Sequence, residues 1–189
     1  MKKMENVVKK RNGVNVEQLV GTIEAVKKDP EVADFKFRAK TEWLGGGRSK
    51  TTFQPFYGAK ETDKSRTTPI VIEGDEPPVL LGENHGANAV EAVLHALGSC
   101  LSVGFAYNAA ARDIDLDSLT FDIEGKLDLH AFLGLSEQTR PGYEHINLKC
   151  RVKSDASRDE LKELFDYVQN TSPVLDMLRN PVKVDAEML

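Results

Sequence analysis

The stretch Asn88-Ala-Val-Glu-Ala-Val-Leu-His-Ala-Leu-Gly-Ser-Cys-Leu-Ser-Val-Gly-Phe-Ala-Tyr107 is the longest apolar run in the chain. It is too long for an ordinary strand and consists mostly of good helix formers, so we predict a helix. Asn88 is a suitable N-cap, and Glu91 stands three residues later, where the acid of a capping box lies. Apolar residues occur on nearly every side of this helix, which predicts that it is buried and that the fold is built around it.

One of the two cysteines, Cys100, lies in this helix among small residues. Gly98, Ser99, Ser102 and Gly104 flank it, and such residues let another backbone or a ligand approach the thiol. The run lies in the middle of the chain and is interrupted by polar residues, so we predict no membrane span.

The composition restricts the class of protein. A chain of 189 residues with a net charge of −5 predicts one domain, or one domain with an appendage. It shows no dense basic stripe, which argues against nucleic-acid binding. No apolar signal-peptide core follows the N-terminal lysines, so we expect a cytoplasmic protein. Its two cysteines are then expected to be thiols, or a redox pair, rather than a structural disulfide. The histidines lack metal-ligand spacing, and we expect no metal and no bound cofactor.

The segments before the central helix predict a tail, a helix and a hairpin. Residues 1–13 are a charged tail, and residues 15–28 form an amphipathic helix. Over residues 33–43 apolar residues recur at every second position, which predicts a strand with one face exposed to solvent. A glycine turn follows at residues 45–47 and a second strand at residues 48–56, which together predict a hairpin.

The segments after the central helix predict two long strands, a helix and a final strand. Apolar residues alternate over residues 119–129 and again over residues 143–152. A capping box at residues 157–160 opens an amphipathic helix, Pro173 starts further helical turns, and residues 182–188 alternate once more. Because strands and helices do not alternate regularly, the order of elements predicts an α+β fold with antiparallel sheets.

Three motifs, in this order along the chain, resemble those of the OsmC/Ohr family. They are Gly46-Gly-Arg48, Glu91-Ala-Val-Leu-His-Ala-Leu-Gly-Ser-Cys100 and Ser172-Pro-Val-Leu-Asp-Met-Leu178. The resemblance runs from about Phe35 to the C-terminus. We therefore predict an N-terminal tail and helix over residues 1–32 and an OsmC-like domain over residues 33–189.

The resemblance implies an intertwined homodimer in which antiparallel sheets wrap around long buried central helices. Many family members reduce organic hydroperoxides or hydrogen peroxide with a thiolate and without a metal or cofactor. Carried onto this chain, the resemblance makes Cys100 the nucleophile. Arg48 would lower the pKa of its thiol, and Glu91 would orient that arginine. The partners implied are a second copy of the chain, a hydroperoxide and an external thiol reductant.

The chain departs from the two-cysteine members at the third motif. Ser172-Pro173 stands where those members have Cys-Pro, and a serine cannot close a disulfide. Cys150 alternates with apolar residues on a strand, so we predict that it is a core residue rather than a substitute. A peroxidatic Cys100 would then leave a sulfenic acid that an outside thiol reduces, in a one-cysteine cycle.

Each candidate residue also has a plainer interpretation. Arg48 could be a solvated turn arginine, and Glu91 could simply stabilise the start of the central helix. The peroxidase branch of the family carries its acid one position earlier, where this chain has Val90, which favours the plainer interpretation of Glu91. His85, in the loop before the helix, could line a pocket. The alternative function is an OsmC-like dimer without peroxidase turnover that binds a small apolar or thiol-reactive ligand.

Overall fold

The computed structural model describes residues 10–189, and the chain forms two compact units. One unit joins the segment that ends at Val16 to Leu94–Leu189, and the other unit is Glu17–Val93. This division does not follow the boundary predicted at residue 32, which stays a prediction. Most of the predicted charged tail, residues 1–9, lies outside the described residues.

The elements are a mixture of helices and antiparallel strands, so the predicted α+β class is confirmed. In chain order they are β1 (Lys10–Arg11), β2 (Val14–Asn15), α1 (Val16–Lys28), a 3-10 helix (Pro30–Ala33), β3 (Ala39–Gly45), β4 (Arg48–Phe53), β5 (Tyr57–Gly58), β6 (Glu61–Thr62), β7 (Ile70–Gly74), a second 3-10 helix (Pro78–Leu80), α2 (Ala89–Ala111), β8 (Ser118–Lys126), β9 (His145–Lys153), α3 (Arg158–Thr171) and α4 (Pro173–Arg179).

The unit Glu17–Val93 is built on a three-stranded sheet in the order β3, β4, β7. The predicted hairpin is confirmed as β3 and β4. Gly46 and Gly47 form its turn. Gly45, the last residue of β3, and Gly46 have φ angles of 108° and 56°, a region that glycine enters without a steric penalty. The first strand of the hairpin begins at Ala39 rather than at residue 33, because the preceding residues make only an isolated bridge.

This sheet is not covered by a core of its own. Trp43 is 77% exposed, and the apolar residues of β7 are exposed as well. No hydrophobic side chain of residues 17–93 is buried. The alternation of residues 33–43 predicted a strand with one dry face, and in the single chain that face is open. Alternation indicates that a face is to be covered, but it does not say which molecule covers it.

The hydrophobic core of the chain lies in the unit that contains α2. Its buried side chains come from α2, from the turn that follows it and from α3: Leu97, Leu101, Phe105, Ala109, Ile114, Leu164 and Val168. β8 and β9 pair along their whole length, and their inward-facing residues pack against this core. Their outward-facing residues are exposed, as the alternation predicts.

The central helix is confirmed as α2, which continues past Tyr107 to Ala111. Its exposed and its buried residues each recur every four positions. The exposed stripe is His95, Ser99, Val103, Tyr107 and Ala111, and the buried stripe is Leu97, Leu101, Phe105 and Ala109. In the single chain the buried residues of this helix lie on one side. The prediction that the helix is covered on every side refers to the homodimer and stays a prediction.

Among the described residues, α2 is the one helix long and apolar enough to cross a membrane, with a mean hydropathy of 1.5 over 18 residues. Buried core helices of globular proteins pass the same test. Here α2 packs against α3 and the β8–β9 sheet, whose outward positions are mostly polar or charged.

Residues 10–15 form a short hairpin, although the sequence suggested a tail as far as residue 13. Asn12 lies at the turn with a φ of 51°. Its side-chain amide donates to the Ile114 carbonyl at 2.9 Å and accepts the Leu116 N–H at 2.9 Å. Arg11 pairs with carboxylates of the same turn between α2 and β8. These contacts are long-range, so the local composition could not reveal them.

The strand predicted for residues 182–188 is wrong for this chain, since residues 181–189 contain no helix or strand. Their apolar side chains are exposed, Val184 among them at 82%. A strand needs a neighbour that receives its backbone hydrogen bonds, and none of the described residues pairs with this segment.

Three helix starts carry the predicted signals, two as side-chain caps and one as a proline in the first turn. Asn88 Oδ1 accepts the N–H of Glu91 at 3.0 Å, and the Glu91 carboxylate accepts the N–H of Asn88 at 2.9 Å. The capping box of α3 is formed by Ser157 and Glu160. Pro173 occupies the first turn of α4, as predicted. Local hydrogen bonds of this kind depend on sequence neighbours, which is why sequence analysis finds them.

Candidate functional site

Cys100 lies in the middle of α2, where the covered side of the helix meets the open side. At about 100° per residue, it is close in angle to Val103 and Tyr107, which are 50% and 46% exposed. Leu97 and Leu101, on its other side, are buried. The thiol is half-buried, so it is partly shielded from water and still lies beside the open face of the helix.

A serine hydroxyl contacts the Cys100 sulfur. The Sγ atom of Cys100 lies 3.2 Å from Oγ of Ser172, which is 5% exposed. Ser172 is the single residue between α3 and α4, and its hydroxyl accepts the N–H of Leu175 at 3.2 Å. The junction of the two helices therefore fixes this hydroxyl beside the sulfur.

Two glycines allow close packing on different sides of α2. A Cβ atom at Gly104 would lie 3.2 Å from a methyl group of Val168 on α3. A Cβ atom at Gly98 would lie 3.1 Å from the terminal methyl group of Ile123 on β8. Gly104 is one turn beyond Cys100 and on the same side of the helix. The close approach of α3 at Gly104 helps to bring the α3–α4 junction to the sulfur.

Cys150 has different surroundings. It pairs with Phe121 across the β8–β9 ladder and packs against the hydrophobic core. Burial raises the pKa of its thiol, which disfavours the reactive thiolate. The prediction that Cys150 is a core residue is confirmed, and both cysteines are free thiols.

Arg48 and Glu91, the other two predicted site residues, lie in the unit Glu17–Val93. Arg48 begins β4, and its Nη2 atom lies 3.5 Å from the carboxylate of Glu73. Glu91 is engaged in the cap of α2 with Asn88. The structure thus does not join Arg48 to Glu91 as a pair. Cys100 belongs to the other unit, so its relation to both residues stays a prediction.

Asp75 is a buried carboxylate that organises the loop before α2. It is 2% exposed and accepts the backbone N–H groups of Glu76, Glu83 and His85. The hydrogen bond from the His85 N–H is the main reason why the pKa of Asp75 falls from 3.8 to about 2; burial opposes this shift. The His85 imidazole also contacts this carboxylate, with Nδ1 3.2 Å from Oδ2.

Two cavities lie near the candidate residues. An open groove of about 510 Å³ runs between α2 and β8 and is lined by Leu94, His95, Gly98, Ser99, Ser102, Phe121 and Ile123. A smaller cavity of about 120 Å³ in the other unit is lined by Asp75, Pro77, Asn84, Gly86, Asn88, Val90 and Glu91. Cys100 lines neither cavity. His85, which was predicted to line a pocket, is not among the residues that line the smaller cavity, although Asn84 and Gly86 on either side of it are.

The described part of the chain contains no group of three or more His, Cys, Asp or Glu side chains placed to hold a metal ion. His130 and His145 bond to polar side chains two residues away, Asp128 and Asn147.

Two features of this region are not predicted from the sequence. The first is the contact of the Ser172 hydroxyl with Cys100, although a Ser-Pro pair at a helix start indicates a hydroxyl fixed as an N-cap. The second is the buried carboxylate of Asp75. The available signal was an aspartate directly after a strand and before a proline-rich loop, a position that favours side-chain to backbone hydrogen bonds.

The sequence profile of the family described as OsmC-like protein matches residues 82–187, which is more than half of the chain. No curated protein sequence matches at a significant level.

Solved structures share the fold at low sequence identity. An OsmC-like protein from Mycoplasma pneumoniae has a TM-score of 0.58 at 20% identity and covers 77% of this chain and 89% of its own. An OsmC-like protein of unknown function from Vibrio cholerae has a TM-score of 0.55 at 14% identity, covering 75% and 92%. An organic hydroperoxide resistance protein OsmC from Legionella pneumophila has a TM-score of 0.52 at 14% identity, covering 76% and 89%.

Proposed function

The chain belongs to the OsmC-like protein family, and from that premise we propose that it reduces organic hydroperoxides or hydrogen peroxide through Cys100. The proposal makes it an oxidative-stress protein. The observation that carries it is the half-buried Cys100 sulfur at the edge of the open face of α2, 3.2 Å from a buried hydroxyl. Such a thiol has a polar partner and remains within reach of a small molecule. The hydroperoxide resistance protein from Legionella pneumophila shares this fold.

The chemistry of the first step is a two-electron oxidation of sulfur. The Cys100 thiolate attacks the terminal oxygen of the hydroperoxide R–O–O–H and takes up that oxygen with its hydrogen. The O–O bond breaks, and the alkoxide RO⁻ leaves and is protonated to the alcohol. The sulfur is now a sulfenic acid, Cys–S–OH.

The second half of the cycle needs a thiol from outside the chain. Ser172, beside the sulfur, has no thiol to offer, and burial keeps Cys150 a poor nucleophile. An external thiol condenses with the sulfenic acid to release water and form a mixed disulfide. A second thiol then displaces Cys100 as the free thiol and leaves as the external disulfide. The cytoplasmic location that we propose supplies such thiols.

We assign the thiolate-stabilising charge to Arg48. A mid-helix cysteine gains little from the helix dipole, so a cation is the expected means of lowering its pKa. The Arg48 side chain is partly exposed, and its contact with Glu73 is long at 3.5 Å. An exposed ion pair of this kind is weak, so the guanidinium is available to another partner. Glu91 would orient Arg48, whereas its observed bond to Asn88 supports the plainer role of a helix cap.

The functional form that we propose is a homodimer. The unit Glu17–Val93 has no buried hydrophobic side chain, and Val103 and Tyr107 leave one face of α2 open. Monomeric proteins rarely expose apolar surface on this scale. A second copy of the chain would cover both surfaces at once, as in the intertwined dimers of the family.

A second candidate function is ligand binding without peroxide turnover. The groove of about 510 Å³ between α2 and β8 favours it, because its walls combine apolar side chains with the hydroxyls of Ser99 and Ser102. Pockets for small apolar molecules have this composition. Cys100 lies on another side of α2, so binding in this groove would not require the thiol.

The peroxidase proposal is tested by following the loss of cumene hydroperoxide with dithiothreitol as reductant. We expect wild type to consume the peroxide and Cys100→Ser to fall to the background rate. Cys150→Ser is the matched control, because it removes the other thiol of the chain and should keep the wild-type rate. Equal background rates for wild type and Cys100→Ser would reject turnover and leave ligand binding as the function.

A further inference from the structure

We propose that Ser172 is a positioning residue for Cys100: its buried hydroxyl donates a hydrogen bond to the thiolate and holds the sulfur in its ionised form. This inference rests on the proposed role of Cys100 as the nucleophile. It assigns a role to Ser172, which occupies the position where two-cysteine members have the cysteine that reacts with the sulfenic acid.

The first step of the argument is a count of hydrogen-bond donors and acceptors. A serine hydroxyl has one proton to donate and two lone pairs that accept. The Leu175 N–H donates to Ser172 Oγ at 3.2 Å and occupies a lone pair. The hydroxyl proton remains, and Cys100 Sγ lies 3.2 Å from the same oxygen.

The second step concerns the protonation state of the sulfur. When Cys100 is a thiol, either atom of the Cys100–Ser172 pair can be the donor. When Cys100 is a thiolate, only the serine can donate. Hydrogen bonds to charged groups are roughly twice as strong as those between neutral groups. The contact therefore favours the thiolate over the thiol.

The third step is the fixed position of the hydroxyl. Ser172 is 5% exposed, so its hydroxyl has little access to water as an alternative partner. It is held between α3 and α4, with Pro173 directly after it. A donor fixed in this way needs no reorganisation when the sulfur ionises, which is what a preorganised site requires.

The same contact bears on the oxidised sulfur. A serine hydroxyl does not condense with a sulfenic acid as a thiol does. The Cys–S–OH group therefore remains available to react with an external thiol. Ser172 thus supports the ionisation of Cys100 without ending the cycle in an internal disulfide.

The test is the pH dependence of Cys100 alkylation by iodoacetamide, measured without peroxide in a Cys150→Ser background. We expect Ser172→Ala to raise the midpoint of the alkylation profile by about one pH unit, the amount that a hydrogen bond to a charged group supports. Ser172→Thr keeps the hydroxyl and should keep the midpoint. Ser157→Ala removes a helix cap far along the chain from the thiol and should leave the profile unchanged.

A second variant is needed because Ser172→Ala also removes the N-cap of α4 and could prevent folding. Ser172→Gly removes the hydroxyl but keeps a tolerated N-cap residue, and it should shift the midpoint as Ser172→Ala does. An unchanged midpoint in the folded glycine or alanine variant would overturn the proposal, and so would an equal shift in Ser157→Ala.

Failure of this inference and failure of the proposed function give different results. Peroxide turnover with an unshifted midpoint would reject the role of Ser172 alone. A shifted midpoint without peroxide turnover would keep the role of Ser172 and reject the peroxidase.

Discussion

At the scale of single residues, the two cysteines acquire different reactivities from their neighbours. Cys100 has a buried hydroxyl 3.2 Å from its sulfur and an open helix face beside it. Cys150 faces the core opposite Phe121, and burial raises the pKa of its thiol. The same side chain therefore lies beside an open face and a hydroxyl at one position and packs in the core at the other.

The proximity of Ser172 to Cys100 allows a direct test of their geometry. We expect Ser172→Cys, in a Cys150→Ser background, to form a disulfide with Cys100 on mild oxidation, because the two side chains already point at each other. The measurement is a mass loss of about 2 Da per chain together with the disappearance of free thiols. Two free thiols that persist after oxidation would show that the side chains do not meet.

Asp75 makes folding stability depend on acid pH. Its folded pKa of about 2 lies below its ordinary value of 3.8. Its contribution to stability is therefore complete above about pH 4 and is lost as the pH falls towards about 2. We expect Asp75→Asn to lower the urea midpoint at neutral pH, and the difference from wild type to shrink as the pH falls below about 4.

The control for this prediction is Asp185→Asn, because Asp185 is exposed. It should match wild type throughout the pH range. A difference between Asp75→Asn and wild type that stays constant down to about pH 3 would contradict the role of the Asp75 charge.

At the scale of elements, helix starts could be predicted from the sequence, whereas contacts between residues far apart in the chain could not. The starts of α2, α3 and α4 follow from caps and a proline that act over a few residues. The contact of Ser172 with Cys100 joins positions 72 residues apart, and the hydrogen bond from the Asn12 side chain to the Ile114 carbonyl joins positions 102 residues apart. Such pairs arise from packing, which a local pattern does not encode.

The apolar pattern of α2 predicted a helix, but it did not indicate which part of the protein covers each face. A helix that is apolar on nearly every side must be covered by something, yet its exposed stripe includes Val103 and Tyr107. The strand predicted at residues 182–188 poses the same question, since it has the alternation and lacks a partner. In both cases the sequence indicates burial that one chain does not provide.

The open stripe of α2 predicts the effect of a charge on assembly. We expect Val103→Glu to weaken the proposed homodimer by at least about 100-fold, because an unpaired charge at an apolar interface costs several kcal/mol. Sedimentation velocity would then show monomers where wild type is dimeric. Thr120→Glu places the same charge on the outward side of β8 and should leave the dimer intact. A dimeric Val103→Glu variant would exclude this stripe from the interface.

At the scale of the whole molecule, the hydrophobic core is unevenly distributed. Among residues 10–189, every buried hydrophobic residue lies between Leu97 and Val168, and the unit Glu17–Val93 has none. The sheet of that unit carries exposed aromatic and aliphatic side chains such as Trp43 and Ile72. A second chain that covers these side chains would make folding and association one process.

This coupling predicts that thermal stability depends on protein concentration. We expect the Tm of wild type to rise over about a hundredfold increase in concentration, as it does for dimers that unfold to separated chains. Calorimetry or scanning fluorimetry would measure it, with the Val103→Glu variant as the comparison. A Tm that does not change with concentration would show that each chain is stable alone.

The absence of buried hydrophobic side chains in Glu17–Val93 also has a consequence during synthesis. These residues leave the ribosome before α2 and its core exist, at roughly 5–20 residues per second. For several seconds the nascent polypeptide carries a half-finished sheet with Trp43 and its neighbours facing water. We therefore expect the growing chain to be a client of ribosome-associated chaperones until its second half has been translated.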